Sequence, residues 1–151
     1  MKPAGDVVLR ACKSSDLDQV CRVEKASFPE RPYSKLDFAY CLLLAREVFL
    51  VASKDGQLVG YVIAIQGREG KIRSIAVSPE SRGKGIGEML MSSAVDQLAG
   101  RSERVTLLVD LENESAIRLY RKLSFSETGR VVRSYYPNGH DAIEMVKQLK
   151  A

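Results

Sequence analysis

The chain has 151 residues, 45% of them hydrophobic and 28% charged, with a formal net charge of +4. That length fits one domain over residues 1–151 in a globular chain, and no apolar run approaches the ~20 residues that cross a bilayer. The N-terminal residues lack an apolar signal core, so we expect a cytoplasmic protein without a membrane partner, and a charge this small does not require nucleic acid.

Hydrophobic spacing and turn residues predict a series of short helices and strands. In chain order these are a strand at 7–11, a helix from 14–16 to Pro29, a helix at 38–45, strands at 48–53, 58–65 and 71–77, a helix from Ile86 to Gly100, a strand at 105–109, a helix at 116–123, and strands at 127–135 and 142–149. Ser15 with Asp18 has the spacing of a capping box before the first helix. The pair Ser34 and Asp37 repeats that spacing before the second helix.

The strand at 71–77 has the alternation of a half-buried strand. We expect Ile72, Ser74 and Ala76 to share one face of the sheet, because side chains alternate along a strand. The element order β-α-α-β-β-β-α-β-α-β-β predicts a mixed α/β sandwich around a central, mostly antiparallel sheet.

A glycine-rich loop follows that strand. Residues 75–87 read IAVSPESRGKGIG, so a strand ends, a proline interrupts it and the loop opens directly into a helix. Such a loop directs free backbone N–H groups at one point, with the positive end of the helix behind them. Arg82 and Lys84 add positive charge. The pattern predicts a pyrophosphate cradle, with a plain turn before a helix as the alternative, and its spacing excludes a Walker loop and a dinucleotide fingerprint.

The spacing Arg82-x-x-Gly85-x-Gly87 resembles the (Gln/Arg)-x-x-Gly-x-(Gly/Ala) signature of the GNAT superfamily of acyl-CoA N-acyltransferases. The resemblance covers almost the whole chain and implies a single-domain GNAT-type α/β fold and acetyl-CoA as cosubstrate. It also implies that the strand before the loop separates from its neighbour and holds the pantetheine and the thioester. The coenzyme-binding residues that it implies here are Ile75, Ala76, Val77, Arg82, Gly83, Lys84, Gly85, Ile86, Gly87 and Glu88.

Residues 113–125 resemble a second GNAT block, N-x-x-A-x-x-x-Y-x-x-x-G-F. By this resemblance Asn113 binds the pantetheine arm, and Tyr120 lies beside the thioester sulfur as the general acid. A helix N-cap and a core tyrosine are the alternative interpretations of these two residues. Ser124 stands where the block has glycine, and it costs about 1 kcal/mol if that position is left-handed.

Two more segments, FPERPY at 28–33 and RSYYPNGHDA at 133–142, resemble the protein N-terminal acetyltransferases. The resemblance includes the RimI-like ribosomal-protein-alanine type and the Ard1-like catalytic subunits, and it implies a protein or peptide N-terminus as substrate. The implied substrate-binding residues are Phe28, Pro29, Glu30, Tyr33, Tyr135 and Tyr136. Taken alone, the two adjacent tyrosines would be an exposed hairpin pair. Whether a ribosome-associated auxiliary subunit is a partner, and whether the chain forms oligomers, stays open.

The expected reaction is direct attack of the amine on the thioester without a covalent intermediate. About a tenth of an α-amine of pKa ~7.7–8.0 is neutral at pH 7, so a modest base suffices. Leu108 stands where the ribosomal-protein type has a glutamate base. We predict Glu30 as the catalytic base, with Asp110, Glu112 or a water relay as alternatives. The N–H of Val77 is the expected oxyanion donor if the strand bulges there.

Cysteine and histidine content limits other chemistries. Three cysteines without a CxxC pair argue against a disulfide framework or a zinc knuckle, and we expect Cys12, Cys21 and Cys41 to be buried fillers. His140 is the single histidine, predicted to lie alone on a turn, so no metal site and no Ser-His or Cys-His nucleophile is expected. The alternatives for function are acetylation of lysine side chains or small amines, a non-catalytic coenzyme A-binding module and, ranked last, a basic nucleic-acid binder.

Overall fold

The computed structural model describes residues 6–149 and has the predicted element order. The elements are β1 (Val8–Ala11), α1 (Leu17–Ser27), α2 (Lys35–Ala39), β2 (Val48–Lys54), β3 (Gln57–Ile65), β4 (Glu69–Val77), α3 (Ile86–Leu98), β5 (Arg104–Asp110), α4 (Glu114–Lys122), β6 (Ser126–Val132) and β7 (Ala142–Gln148). The strands form one seven-stranded sheet in the order β1-β2-β3-β4-β5-β7-β6. The β4–β5 pair is parallel and the other pairs of these strands are antiparallel, which confirms the predicted mixed architecture.

Residues 1–5, which carry most of the segment examined for a signal core, lie outside the described range. Between residues 6 and 149, no helix has the length and apolar character needed to cross a membrane.

The two faces of the sheet carry separate hydrophobic clusters, because neighbouring strand residues point to opposite faces. The cluster under α3 and α4 includes the fully buried side chains of Leu90, Val62 and Val105. The cluster under α1 and α2 includes those of Val20 and Phe38. Burial of each such side chain contributes about 1.5–3 kcal/mol, so these contacts fix both helical layers on the sheet.

The capping box at the start of α2 is confirmed. The N–H of Asp37 donates to Ser34 Oγ at 3.2 Å, and the N–H of Ser34 donates to the Asp37 carboxylate at 2.7 Å. These bonds satisfy backbone donors that the first helical turn leaves free. The helix is shorter than predicted and continues as one π turn, Tyr40–Leu44.

The capping box predicted before α1 is wrong by two residues. The helix begins at Leu17, after a 3₁₀ turn, and the carboxylate of Asp16 rather than Asp18 accepts the N–H of Lys13 at 2.7 Å. The guanidinium of Arg10 donates to the same carboxylate at 2.7 and 2.9 Å. The buried carboxylate of Asp16 therefore links β1, through Arg10, to the start of α1.

Two strand boundaries differ from the prediction by more than one residue. β4 begins at Glu69, two residues before its predicted start. β6 ends at Val132, so Tyr135 and Tyr136 lie in the loop that follows and not in a strand. Ser134 adopts a positive φ of 50° in that loop, which turns the chain away from the sheet.

Arg73 is an extra residue in β4. Two consecutive residues of β3 lie opposite Ser74 and Ile72, so Arg73 between them has no partner and forms a β-bulge. Ile72 belongs to the cluster under α3 and α4, whereas Ala76 belongs to the cluster under α1 and α2. The prediction that Ile72, Ser74 and Ala76 share a face is therefore wrong, because the bulge shifts the alternation by one residue.

β4 and β5 separate soon after they begin. Their parallel pairing covers only residues 69–71 of β4 and 104–106 of β5. β5 instead pairs with β7 along its whole length, as far as Asp110 opposite Ala142. The downstream half of β4 therefore faces a gap, and the residues around that gap form the candidate active site.

Candidate active site

The start of α3 is an uncapped helix N-terminus at the end of the glycine-rich loop. Gly83 and Gly85 adopt left-handed φ values of 79° and 83°, which favour glycine. Gly85 is the N-cap and offers no side chain, so no side-chain hydrogen bond caps the helix. The amides of the first turn are thus available to an anion. Ile86 is buried in the core and fixes the helix, while Glu88 pairs with Lys122 at 3.0 Å.

The first turn of α3 lies close to both α4 and the end of β4. A Cβ added at Gly87 would lie 3.7 Å from Leu119 Cδ2 in α4 and 3.9 Å from Val77 Cγ2 in β4, which is ordinary van der Waals contact. The helix amides, the end of β4 and the face of α4 therefore converge. A pyrophosphate on these amides would extend its thioester arm along β4, so the residues present fit acetyl-CoA.

Val77 directs its backbone N–H into the gap. Ser78 N–H donates to the Val59 carbonyl at 2.8 Å, which makes Val77 and Gly60 a non-hydrogen-bonded pair of the antiparallel ladder. The polar backbone groups of Val77 consequently point away from β3, towards the side where β5 has separated. The bulge expected at this position lies at Arg73 instead, and the gap alone frees the N–H.

The two other predicted coenzyme-binding residues of β4 lie on opposite faces. Ile75 packs against the cluster under α3 and α4, and Ala76 is buried in the cluster under α1 and α2. Neither side chain carries a polar group, so any contact that they make with a thioester arm is through backbone or apolar surface.

Arg82 links the glycine-rich loop to the end of β4 and the end of α1. Its Nε donates to the Val77 carbonyl at 3.0 Å, and its guanidinium donates to Ser27 Oγ at the end of α1 at 3.1 Å. Lys84 is exposed and takes part in none of the ion pairs formed by residues 6–149. Of the two predicted cations, Lys84 is thus the one available to an incoming phosphate.

Asn113 and Ser124 delimit α4. Asn113 is its N-cap, with Oδ1 accepting the N–H of Ala116 at 3.2 Å, so the cap interpretation is confirmed and the bond to pantetheine stays a prediction. Ser124 has a φ of 74°, in the left-handed region predicted for the missing glycine. The N–H of Ser124 donates to Arg121 and that of Phe125 donates to Tyr120, each at 2.9 Å, which is the Schellman pattern of helix ends.

Tyr120 projects from α4 and is 8% exposed. Its ring packs against Phe125 with a centroid separation of 6.1 Å. Burial raises the pKa of its phenol to about 12, so the group is protonated at neutral pH. Within residues 6–149 the hydroxyl has no hydrogen-bond partner, and no fully buried side-chain polar atom lacks one, so this hydroxyl reaches open space. A protonated, unpaired phenol is what a general acid requires.

Three tyrosines predicted to bind substrate lie close together. Tyr135 and Tyr136 form an edge-to-face pair with centroids 4.9 Å apart. Partial burial raises the pKa of Tyr33. The Arg73 guanidinium lowers this pKa and the Tyr135 phenol raises it, so both groups lie near Tyr33. The loop after α1 therefore approaches the loop after β6. Burial also raises the pKa of Tyr136, and the nearby groups Tyr135, Asp110 and Tyr120 add to that increase. The tyrosine cluster, defined as Tyr33, Tyr135 and Tyr136, therefore lies near Tyr120, the predicted general acid.

Arg73 adds a cation that the sequence interpretation did not include. The bulge directs its side chain to the face of the tyrosine cluster, where Nε contacts both Glu47 carboxylate oxygens at 2.8 and 2.9 Å. The Glu47 side chain is 4% exposed and the Arg73 side chain 33% exposed, so the guanidinium is the part that reaches the surface.

Phe28, Pro29 and Glu30 are all exposed on the loop after α1. Phe28 is 42% exposed, which leaves an apolar surface available to a peptide. Glu30 forms none of the hydrogen bonds or ion pairs found within residues 6–149. Its role as catalytic base therefore stays a prediction without a positioning contact.

A buried carboxylate contacts that loop, and its only sign in the sequence is a polar residue on the inner face of a helix. Glu24 is 3% exposed. Its Oε2 accepts the N–H of Tyr33 at 2.9 Å and its Oε1 accepts the hydroxyl of Tyr61. The Tyr61 hydroxyl also contacts Ser74 Oγ at 2.8 Å. Burial raises the pKa of Glu24, and the hydrogen bonds from Tyr33 and Tyr61 partly offset the increase.

His140 does not lie alone, contrary to the prediction. Its Nδ1 lies 2.9 and 3.1 Å from the two carboxylate oxygens of Asp110. Asp110 ends β5 opposite Ala142, so the β5–β7 register brings together two residues that are thirty positions apart in sequence. Only the pairing of β5 with β7 brings these two residues together. That pairing is hard to deduce from the sequence, because β7 inserts between β5 and β6.

The cysteines are unsuited to nucleophilic catalysis. All three are free thiols, two of them buried. Burial raises the pKa of Cys12 to about 12 and that of Cys41 to about 11, so both are protonated at neutral pH. Among residues 6–149 there is also no cluster of His, Cys, Asp and Glu suited to a metal ion.

Residues 16–125 match the model of the acetyltransferase (GNAT) family. The chain belongs to this family of acetyltransferases. Members use acetyl-CoA, in agreement with the cradle and the gap described above. The GNAT phosphinothricin acetyltransferase of Sinorhizobium meliloti, solved with acetyl-CoA, has 25% identity and a TM-score of 0.79 over 96% of this chain and 89% of that one.

The GNAT relatives include N-terminal acetyltransferases. An N-alpha-acetyltransferase of Sulfurisphaera tokodaii is 31% identical over 93% of this chain and 92% of its own. A putative ribosomal protein bS18-alanine N-acetyltransferase of Bacillus subtilis is 36% identical over 91% and 92%. The ribosomal-protein-S18-alanine N-acetyltransferase of Escherichia coli has a TM-score of 0.85 at 27% identity, over 96% and 95% of the two chains. The resemblance to RimI-like and Ard1-like enzymes is thereby confirmed.

Proposed function

We propose that the protein transfers the acetyl group of acetyl-CoA to the α-amine of protein or peptide N-termini by direct attack. The observation that carries the proposal is that the tyrosine cluster, which comes from two loops, lies near Tyr120 of α4 and Arg73 of β4. Relatives that acetylate N-termini over the same length support this choice of acceptor.

The amides at the start of α3, with exposed Lys84, bind the pyrophosphate in this proposal. The N–H of Val77 donates to the thioester carbonyl, where negative charge develops as the amine attacks. The hydroxyl of Tyr120 protonates the departing sulfur. Asn113 at the start of α4 stays the predicted contact of the pantetheine arm.

The peptide enters between the loops that carry Tyr33 and Tyr135. The exposed ring of Phe28 and the guanidinium of Arg73 border this groove. A groove between two loops that leads to the thioester suits the extended end of a peptide chain. An α-amine also needs less help than a lysine amine, because the difference between pKa ~7.7–8.0 and ~10.4 corresponds to about 3 kcal/mol at neutral pH.

A peptide panel tests the proposal directly. The purified protein is incubated with acetyl-CoA and peptides that carry one free α-amine, one internal lysine or both, and the products are located by tandem mass spectrometry. Acetylation at the α-amine is the expected result. Acetylation at internal lysines alone, or of polyamines alone, would replace this function with that of a side-chain or small-amine acetyltransferase. Coenzyme A binding without turnover would indicate a binding module.

Cytoplasmic location and a ribosome-associated auxiliary subunit belong to the same proposal. A tagged chain expressed in its own cells should sediment partly with ribosomes in low salt if such a subunit is present. Sedimentation as a free monomer, with full activity on peptides, would indicate that the chain works alone.

A further inference from the structure

We propose that His140, oriented by Asp110, accepts the proton from the substrate ammonium. This inference rests on the proposed function, since it assigns the proton acceptor of that reaction. It differs from the assignment of Glu30, which the sequence alone favoured.

The geometry is that of an oriented imidazole. Asp110 carboxylate oxygens lie 2.9 and 3.1 Å from His140 Nδ1, and a carboxylate can only accept. The proton of a neutral imidazole therefore lies on Nδ1, and Nε2 keeps its lone pair for an incoming proton. The Asp110 side chain is 20% exposed and the His140 side chain 41% exposed, so part of the imidazole is open to solvent while Nδ1 contacts the carboxylate.

Backbone contacts fix both members of the pair. The N–H of Glu112 donates to Asp110 Oδ1 at 2.8 Å. The His140 N–H donates to the Asn138 side chain at 2.9 Å, and its carbonyl accepts the N–H of Tyr136 at 3.2 Å. The imidazole is therefore held in the same loop as Tyr135 and Tyr136 and against the end of β5.

The pair lies on the acceptor side of the gap. Leu107 and Val109 of β5 point into the cluster under α3 and α4, so Leu108 and Asp110 point to the opposite face. Leu108 cannot accept a proton, and Asp110 is the next residue on that face. The N–H of Tyr136 donates to the His140 carbonyl at 3.2 Å, and the nearby groups Asp110 and Tyr120 raise the pKa of the Tyr136 phenol, so the pair and the predicted general acid both lie near this tyrosine.

The proton transfers balance. One proton passes from the substrate ammonium to Nε2 of His140, where the Asp110 carboxylate stabilises the imidazolium, and it later leaves to solvent. The neutral nitrogen forms the C–N bond, and the C–S bond breaks with its electron pair on sulfur. The sulfur takes the proton of Tyr120, and the second proton of the nitrogen restores the phenol. The products are the acetylated N-terminus and coenzyme A.

The titratable and charged groups near the imidazole and its neighbour Tyr136 come from three elements. They are Asp110 from β5, Tyr120 from α4, and Tyr136 with the Arg133–Asp141 pair from the loop before β7. Arg133 and Asp141 lie 3.8 Å apart and neutralise one another, so Asp110 is the partner in contact with the ring.

The test compares kcat/KM for one α-amine peptide at pH 7 and at pH 9 in wild type, His140→Gln, Asp110→Asn and Glu30→Gln. At pH 9 most of the substrate amine is already neutral, against about a tenth at pH 7. A variant without the proton acceptor is therefore expected to fall about a hundredfold or more below wild type at pH 7, within the range of about 10²–10⁴ for general bases. That deficit should shrink by up to tenfold at pH 9, with KM for acetyl-CoA unchanged.

Asp141→Asn is the matched control. Asp141 accepts the Ser134 N–H at 2.8 Å and pairs with Arg133, so its change loosens the same loop without removing the pair. Any loss of kcat/KM in Asp141→Asn should be the same at pH 7 and at pH 9. The proposal is overturned if His140→Gln keeps wild-type activity at pH 7, if its deficit does not change with pH, or if Glu30→Gln alone shows the rescue. Absence of α-amine acetylation by the wild type would reject the proposed function and this assignment with it.

Discussion

Replacement of Glu24 tests how the substrate loop is held. In Glu24→Ala the N–H of Tyr33 loses its acceptor, whereas the Tyr61 hydroxyl keeps Ser74 at 2.8 Å. The N–H of Tyr33 becomes a partly buried donor without an acceptor, and a fully buried one costs about 1–3 kcal/mol. The cavity left by the missing side chain adds to this loss. We therefore expect Glu24→Ala to lower the free energy of unfolding by about 2–4 kcal/mol.

Urea unfolding followed by circular dichroism measures this loss. Glu24→Gln keeps an oxygen for Tyr33 and presents NH₂ to the Tyr61 oxygen, so its loss should be about 1 kcal/mol or less. Glu30→Ala is the matched control, because that carboxylate is exposed and unpaired within the described chain, and it should change stability by no more than about 0.5 kcal/mol. If Glu24→Ala proves as mild as Glu30→Ala, the hydrogen bonds assigned to Glu24 do not hold the loop.

The same residue predicts a dependence on pH. Burial raises the pKa of Glu24 above that of the unfolded chain, so the folded state binds this proton more tightly. Its stabilising contribution is complete below the unfolded pKa of ~4.3 and is lost as pH rises through the higher folded pKa. The stability of wild type relative to Glu24→Gln should therefore decrease from pH 4 towards neutrality. A difference that stays constant over this range would contradict the shift.

Three further changes test the helix ends and the general acid. Ser124→Gly should stabilise the fold by about 1 kcal/mol, because the φ of Ser124 is 74°. As a control, Ser126→Gly in the extended β6 should destabilise the fold by about 0.5–1 kcal/mol. Equal effects of the two changes on urea unfolding would contradict the left-handed cap. Tyr120→Phe should lower kcat by about a hundredfold or more and leave coenzyme A affinity, measured by calorimetry, unchanged; an unaltered kcat would remove the general acid. Gly85→Ala strains a φ of 83° by about 1–2 kcal/mol, so KM for acetyl-CoA should rise roughly tenfold, and an unchanged KM would move the pyrophosphate elsewhere.

Local patterns were sufficient to predict the conformation of the glycine-rich loop and of the end of α4. The glycine spacing at residues 83–87 defines both the left-handed turns and the helix start, because only nearby backbone angles are involved. The same holds for Ser124, whose left-handed conformation follows from its place after a helix. Such features depend on a few consecutive residues, and the sequence contains all of that information.

The acceptor side depends on strand register, which local patterns do not encode. The bulge at Arg73 inverted the expected alternation of β4, since one extra residue moves every later side chain to the other face. Asp110 meets His140 only because β7 inserts next to β5. Glu24 was missed for a related reason: a buried carboxylate needs partners, and those partners come from another loop and another strand.

The gap between β4 and β5 explains why the two sides meet. A parallel ladder would have paired the downstream half of β4 and covered the backbone of Val77; its loss leaves polar groups that need other partners. The carbonyl of Val77 finds the Nε of Arg82 at 3.0 Å, so the loop that begins the coenzyme site also satisfies the strand that borders it. The N–H has no strand neighbour on that side within the described sheet and is the group left for a substrate carbonyl. The unsatisfied N–H of Val77 is stabilised by an acceptor that completes it, and in the proposed function that acceptor is the thioester oxygen.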